Sequence, residues 1–245
     1  MRVIVRGLSL LILLLGSVSA THAEGTINWQ GFYVGAHVGG GRTSSDTTST
    51  FENLSLRPVE VDLTDTSFLG GAQAGYLWQL HPSFVVGIEG DFSFMNSDDT
   101  GSDEIFDTFG TGVLIFPNTT LDLQWLSSVR GRVGYASGPL LIYGTGGVAW
   151  AKVSMMGEIN RLTPNGPGFL GNFFDASDSK IANGWVAGGG AEYQFSPNWI
   201  IGAEYLHYNL GEETLSSSRL PGNLFMSYKF DTKVNVGRVT AKYKF

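Results

Sequence analysis

The sequence contains no cysteine and few charged residues. None of the 245 residues is a cysteine, which excludes disulfides, thiolate nucleophiles and cysteine-ligated metal sites. Charged residues make up 15% of the chain, below the roughly 25% of a typical soluble domain. The net charge of −7 argues against a nucleic-acid partner, because a nucleic-acid-binding surface is basic.

Long hydrophobic runs are also missing beyond the amino terminus. Residues 8–15 form a short apolar stretch after Arg2 and Arg6, and small residues follow up to Ala20 and Ala23. This order predicts an export signal, residues 1–23, cleaved after Ala20 or Ala23. No later segment reaches the roughly 18 uncharged apolar residues of a membrane-spanning helix. Any membrane span in the remaining domain, residues 24–245, must therefore consist of strands.

Glycine and aromatic residues are abundant, and they follow a period of two. The chain has 34 glycines, and 13% of its residues are aromatic. Alternating apolar and polar residues recur in eight segments, at residues 31–41, 68–80, 84–95, 121–136, 140–153, 181–195, 199–210 and 233–245. Each is close to the roughly 10 residues of a tilted membrane strand. The pattern predicts an all-β, eight-stranded antiparallel barrel.

The connections between these segments alternate in length. Residues 81–83, 137–139 and 196–198 are tight turns rich in proline, serine, glycine and asparagine. The other connections are long and polar, at residues 42–67, 96–120, 156–180 and 211–232. Short periplasmic turns and four long extracellular loops are typical of bacterial outer-membrane barrels. We also expect the last segment to close the barrel by pairing with residues 31–41.

Alternation alone does not say which face points inward. A soluble lipocalin-like barrel would enclose its aromatic residues around a ligand, whereas a membrane barrel would turn them towards lipid. Aromatic residues here cluster where strands meet turns or loops. One group lies near the short turns and comprises Phe32, Tyr76, Trp78, Phe84, Tyr135, Phe195 and Trp199. A second group, nearer the loops, comprises Phe92, Phe94, Trp125 and Trp150. Two such groups are typical of the aromatic girdles that lie at the two surfaces of a membrane, and they favour a membrane barrel over a soluble one.

The opposite face carries charges of both signs, which can neutralise each other in a narrow lumen. The predicted network consists of Glu89, Asp91, Arg130, Arg132, Glu192, Glu204, Arg238 and Lys242. Since eight strands enclose little more than side chains, we expect a largely filled lumen. A narrow channel for small solutes is the alternative.

Specific partners within the network follow from the order of the strands. Arg130 and Arg132 share a face and need carboxylates, because an unpaired buried charge is costly. The nearest carboxylates are Glu89 and Asp91 on the preceding strand. A second set is expected across the last three strands, where Arg238, Lys242 and Lys244 face Glu192 and Glu204.

Five short motifs in this order and spacing resemble a known family. They are WQGFYVG at residues 29–35, FLGGAQAGY at 68–76, YGTGGVA at 143–149, GWVAGGGAE at 184–192 and YKF at 243–245. The sequence resembles the small outer-membrane barrels of the OmpA type, among them the immunogenic porin-like proteins of Gram-negative bacteria. The resemblance implies an integral outer-membrane barrel with a structural or cell-surface role. Without a peptidoglycan-binding domain after Phe245, it does not imply anchoring to the cell wall.

The resemblance also implies partners. Tyr243 and Phe245 look like the carboxy-terminal signal that the outer-membrane assembly machinery reads, although Thr240 stands where that signal often has glycine. The other expected partners are outer-membrane lipid and lipopolysaccharide, and a monomer is favoured.

Catalysis has few candidate residues in this sequence. Some outer-membrane barrels are enzymes with histidine at the loop end, so His37 and His207 are the positions to examine. Neither belongs to a serine nucleophile elbow or to a zinc-binding spacing. We therefore expect no enzyme, no cofactor and no metal site, with a barrel enzyme as the alternative.

The predicted loops hold most of the acidic residues. The densest run comprises Asp98, Asp99, Asp103, Glu104 and Asp107. Such a run indicates a solvated surface. An alternative is that these carboxylates bind divalent cations together with lipopolysaccharide phosphates, since hard cations prefer oxygen ligands.

Overall fold

The described part of the chain folds into antiparallel strands joined by tight turns, with a short irregular segment before the first strand. The computed structural model describes residues 27–51, 59–96, 101–102, 106–107, 114–163, 168–216 and 226–245. Its strands are β1 (Gly31–Phe51), β2 (Val59–His81), β3 (Phe84–Asn96), β4 (Gly101–Ser102), β5 (Phe106–Asp107), β6 (Leu114–Ser137), β7 (Leu140–Thr163), β8 (Gly168–Gln194), β9 (Trp199–Ser216) and β10 (Met226–Lys244). Within these ranges no helix is long and apolar enough to cross a membrane.

The eight long strands close into a barrel, as predicted. Neighbours run in the order β3-β2-β1-β10-β9-β8-β7-β6, and β3 also pairs with β6. The short strands β4 and β5 pair with the part of β6 that lies beyond β3. The last strand pairs with the first, with Val239 opposite Val38 and Lys244 opposite Tyr33. This pairing confirms the expected closure by the carboxy-terminal strand.

Three tight connections lie at one end of the barrel, which we call the short-turn end. β6 and β7 are separated only by Gly138 and Pro139, and Gly138 has a φ of 57°. Glycine suits this position because it adopts a positive φ without steric cost. In the turn between β8 and β9, the backbone nitrogen of Trp199 donates to the carbonyl of Ser196 at 3.3 Å. The opposite end of the barrel is the loop end.

The strands extend further at the loop end than the sequence predicted. β7 has 24 residues and β8 has 27, so both run through most of the stretch 156–180 that was expected to be a loop. The prediction ended each strand where its apolar face ended. Strand pairing continues past that point because hydrogen bonds between strands do not require one face to be apolar. The side chains of the acidic run from Asp98 to Asp107 lie outside the described residues.

The apolar face of each long strand points outward, as expected for a membrane barrel. Exposed residues include Phe32, Trp78, Phe84, Phe94, Tyr135, Phe195 and Trp199. Leu123 is an exception, because it was expected to face outward but is only 2% exposed. An irregularity in the pairing of β6 with β7 between Leu123 and Trp125 shifts the alternation by one residue. It therefore turns Leu123 to the opposite face.

Candidate functional site: the barrel interior

A layer of charged side chains, the charged layer, crosses the middle of the lumen. Its members are Glu89 and Asp91 on β3, Arg130 and Arg132 on β6, Glu192 on β8, Glu204 on β9, and Arg238 and Lys242 on β10. These are the eight residues of the predicted network, and the structure brings all of them together. All eight are buried. The layer holds four carboxylates and four cations, so its formal charge is zero.

Glu89 is the most connected member of the charged layer. Its Oε1 lies 2.5 Å from Arg130 Nη2, and its Oε2 lies 3.1 Å from Arg132 Nη1 and 2.7 Å from Lys242 Nζ. The hydroxyl of Tyr33 also donates to Oε2, at 2.7 Å. Arg238 Nη2 lies 3.8 Å from Oε1 as well, so one carboxylate contacts four buried cations.

The remaining ion pairs span the lumen. Arg130 Nη1 reaches Glu204 Oε1 at 2.8 Å, and Arg132 pairs with Glu192. Because eight strands make a narrow barrel, long side chains from opposite walls meet. The two separate sets expected from strand order are therefore wrong: they form one network.

The two basic residues of β10 complete this network. Arg238 contacts Glu204 through Nη2 at 2.6 Å and Asp91 through Nη1 at 3.2 Å. Lys242 Nζ lies 2.8 Å from Glu192 Oε1, in line with the expected opposition. Lys244 differs from the expectation, since its Nζ donates to the carbonyl of Asn28 instead of facing a carboxylate. It lies at the short-turn end, beyond the reach of the layer.

Uncharged side chains bind the charged layer from both sides, and the sequence analysis did not identify them. Tyr143 donates to Glu204 Oε1 at 3.1 Å, and the Arg132 guanidinium lies 3.7 Å from the centre of the Tyr143 ring. Ser128 donates to Asp91 Oδ2. These donors occupy lone pairs that the cations leave open, which a buried carboxylate requires. Their only signal in the sequence is their inward position on a strand.

Two apolar layers fill the lumen above and below the charged layer. The layer at the short-turn end comprises Trp29, Tyr33, Leu77, Val85, Ala136, Leu141, Tyr143 and Ile200. The layer at the loop end includes Leu69, Met95, Leu126, Val186, Leu206, Tyr208 and Val234. The inner face, expected to be polar, therefore also carries many apolar side chains at both ends, although residues such as Gln194 and Thr43 are buried there as well. Where the inner face is also apolar, as at Ile200 beside the exposed Ile201, the alternation on which the prediction depended disappears.

Trp29 seals the short-turn end. It precedes β1 and is fully buried. Its backbone nitrogen donates to Gln79 Oε1 at 2.8 Å, and its indole Nε1 donates to the carbonyl of Gly138 at 3.2 Å. Gln79 in turn donates to the carbonyl of Pro82 at 2.9 Å. The segment before the first strand is thereby tied to two of the three tight turns.

Sequence comparison identifies the family of this closed barrel. Residues 9–245 match the family described as the outer membrane protein beta-barrel domain. The chain belongs to this family. The 31 kDa outer-membrane immunogenic protein of Brucella melitensis is 34% identical over 226 residues, covering 90% of this chain and 85% of the relative. The 22 kDa outer membrane protein of Rhizobium leguminosarum is 27% identical, covering 73% and 63%.

A solved structure agrees with the fold. The outer membrane protein OprG of Pseudomonas aeruginosa matches with a TM-score of 0.53 and 10% identity, over 88% of this chain and 96% of that one. With the family, this places the protein in the bacterial outer membrane as an integral barrel. The short-turn end then faces the periplasm and the loop end faces the cell exterior.

The two histidines considered for catalysis lie on opposite sides of this outer-membrane barrel wall. His37 is buried in the lumen, where its Nε2 lies 2.8 Å from Ser93 Oγ. His207 faces outward, with Nδ1 2.8 Å from Asn235 Oδ1 and its ring 5.5 Å from that of Trp185. The structure does not bring the two together. Among the described residues, no three histidines or carboxylates form a group that could hold a metal ion.

Proposed function

We propose that this protein is a closed, non-catalytic barrel with a structural and cell-surface role in the outer membrane. The observation that carries the proposal is the filled lumen, in which an apolar layer lies on each side of the charged layer. In either apolar layer an ion would lose its hydration and gain few polar partners in return. It would then have to displace buried ion pairs such as Arg132 with Glu192.

The absence of catalysis is also part of the proposal. The contact between His37 and Ser93 has the residue types of a base and a nucleophile, but both side chains are buried. A nucleophile acts only where a substrate can approach it in the right geometry. His207 faces the membrane side and is bonded to an amide, which supports a structural role for it.

Planar-bilayer recording tests the closed lumen. We expect the purified chain to give no stable open channels, and we expect Arg132→Glu to increase leakage, because it places a third carboxylate beside Glu89 and Glu192. Lys152→Glu, at an outward-facing position, is the matched control and should leave conductance unchanged. Heat-modifiable gel migration shows whether each variant is folded. Stable wild-type channels that Arg132→Glu abolishes would contradict the proposal.

The long strands support a role at the cell surface. β1, β7, β8 and β9 extend 11 or more residues past exposed apolar residues of the lipid-facing band, namely Val38, Val148, Ile181 and Tyr205. Their loop-end segments therefore lie beyond that band. Relatives from Brucella are named immunogenic outer-membrane proteins, which fits surface exposure. Protease treatment of intact cells should cleave within the predicted loops, for example within residues 42–67 or 211–232. Protection of both stretches until the cells are lysed would argue against surface display.

Assembly through the carboxy terminus is a further part of the proposal. The backbone nitrogen of Phe245 donates to the carbonyl of Phe32 at 2.9 Å, and its ring lies 5.2 Å from Tyr243. We expect that deleting Phe245 lowers the outer-membrane level of the protein more than deleting residues 217–225. Normal levels of the truncated chain would refute an assembly role for this residue.

The acidic run and its proposed divalent cations remain a hypothesis. Calcium titration of the folded barrel should raise its stability in the presence of lipopolysaccharide if the carboxylates and phosphates share cations. An unchanged unfolding temperature would leave the run as a solvated surface.

A further inference from the structure

The outer wall of the barrel carries a slot between two aromatic side chains at the loop end of the apolar band. Strand pairing places Phe68, Gly40, Gly237 and Tyr205 in one row across β2, β1, β10 and β9. Phe68 is 67% exposed and Tyr205 is 56% exposed. A Cβ added to Gly237 would meet no atom within 4 Å. The two glycines therefore form an open floor between walls about 14 Å apart at the backbone, given the roughly 4.8 Å spacing of strands.

The row below the slot, towards the membrane centre, is apolar. It contains Gly70, Val38, Val239 and Ala203, again paired across the same four strands. Val38 and Val239 are exposed. Six residues of these two rows line a groove of about 600 Å³: Val38, Phe68, Ala203, Tyr205, Gly237 and Val239. Its shape and chemistry suit an acyl chain.

The row above the slot presents hydrogen-bond donors. Tyr205 Oη and His207 Nδ1 both lie 2.8 Å from Asn235 Oδ1. Since a carbonyl oxygen only accepts, both groups donate to it, and the Asn235 amide keeps two N–H donors as its remaining polar function. Arg42 pairs directly opposite Asn235 and is exposed. No hydrogen bond or ion pair of Arg42 is formed with the residues that the structure describes.

The described part of this face also holds one ion pair next to the row. Lys233, diagonal to Arg42 across the strand pair, contacts Asp231 at 2.8 Å. Among the described side chains of this row, the donors left without an acceptor are the Arg42 guanidinium and the Asn235 amide, and they match an anion with several acceptor oxygens, such as a phosphate. The row lies where the apolar band ends on the exterior side, beside the exposed indole of Trp185, which is the depth of lipid headgroups.

We propose that this face binds one phosphorylated glycolipid of the outer leaflet, with a phosphate on Arg42 and Asn235 and an acyl chain in the slot over Gly40 and Gly237. A second copy of the chain fits less well, because two-fold pairing of this face would bring Arg42 towards Arg42. The inference deepens the proposed contact with lipopolysaccharide. The bilayer test of the closed lumen needs no glycolipid, so the two proposals can fail separately.

Native mass spectrometry of the full chain in detergent, titrated with lipid A, tests the proposal. We expect one tightly bound molecule. Arg42→Gln should weaken binding about tenfold, the value of one charge-assisted contact, and Gly237→Leu should weaken it further by filling the slot. Lys152→Gln and Gly131→Leu are matched controls at outward-facing positions on β7 and β6, and both should bind as wild type.

Dephosphorylated lipid A and inorganic phosphate identify the group that is recognised. Removing the phosphates should weaken binding to the wild type at least as much as Arg42→Gln does, since Asn235 loses its contact too. With the dephosphorylated lipid, Arg42→Gln should have no further effect. Millimolar inorganic phosphate should not displace lipid A, since it lacks the chain. Equal affinity of all variants, binding independent of the phosphates, or a dimer that Gly237→Leu dissociates would each overturn the proposal.

Discussion

The charged layer and the two apolar layers fill the same lumen by different rules. In the charged layer each side chain is held by partners on other strands, as Glu89 is held by residues of β1, β6 and β10. In the apolar layers, such as the one around Leu206, the requirement is volume. The first rule specifies which residues must be present together, whereas the second tolerates exchange among side chains of similar size.

Removing one charge from the charged layer should cause the largest loss of stability. Glu89→Gln leaves Arg130, Arg132 and Lys242 short of a carboxylate, and loss of one partner of a buried pair costs about 3–5 kcal/mol. The free energy of unfolding, measured by urea titration in detergent micelles, should fall by that amount. A loss under 1 kcal/mol would show that water reaches the layer.

Truncation in an apolar layer should have a somewhat smaller effect. Leu206 is fully buried in the loop-end layer, and Leu206→Ala should cost about 3 kcal/mol through lost burial and a residual cavity. Leu206→Met should cost under about 1.5 kcal/mol, since it nearly conserves volume. If the methionine variant were as unstable as the alanine variant, the apolar layer would be as specific as the charged one.

Tyr33 lies at the boundary between the two kinds of layer, so its ring and its hydroxyl can be tested separately. Tyr33 belongs to the short-turn apolar layer through its ring, and its hydroxyl contacts Glu89 at 2.7 Å and Arg132 at 2.9 Å. Tyr33→Phe keeps the ring and should cost about 1.5–3 kcal/mol, as for hydrogen bonds to charged groups. Tyr135→Phe, on an exposed ring, is the control and should be nearly neutral. An equal loss of stability at both positions would show that the Tyr33 hydroxyl does not stabilise the charged layer.

The smallest effect is expected for an exposed ion pair. Asp231 and Lys233 are 2.8 Å apart, but their side chains are 32% and 38% exposed. Asp231→Asn should change the free energy of unfolding by less than about 1 kcal/mol. In 1 M salt, where the Debye length is about 3 Å, the substitution should have no measurable effect on the free energy of unfolding. A cost comparable with that of Glu89→Gln would mean that burial does not decide the strength of these pairs.

The sequence predicted the fold well where alternation was long. β3 and β10 carry uninterrupted alternation, and there the apolar rows face outward and Glu89, Asp91, Arg238 and Lys242 face inward. Strand ends were underestimated, because pairing beyond the lipid band leaves no apolar pattern. Leu123 was assigned to the wrong face because one irregular pairing reverses the alternation, and composition does not reveal it.

The interior was predicted in its charges but not in its layers. Paired charges on inward positions indicate a network whatever its exact geometry, since each buried charge needs a partner. The partners of Arg130 and Arg132 across the lumen depend on barrel width, which strand order alone does not give. Leu141 and Ile200 are buried inside but lie beside outward apolar residues, so nothing in the sequence separates the two faces there.

The pairing of β1 with β10 also constrains how the chain reaches this state. Neighbouring strands joined by tight turns can form hairpins locally. The seam, by which we mean the pairing of β1 with β10, joins residues roughly 200 positions apart, such as Tyr33 and Lys244, and closing so long a loop has an entropic cost. Such non-local pairing slows folding. Before the seam forms, both edges carry unpaired backbone groups that can pair with other chains. Arg238 and Lys242 lie on the last strand, so until β10 has paired the four carboxylates of the charged layer face only Arg130 and Arg132.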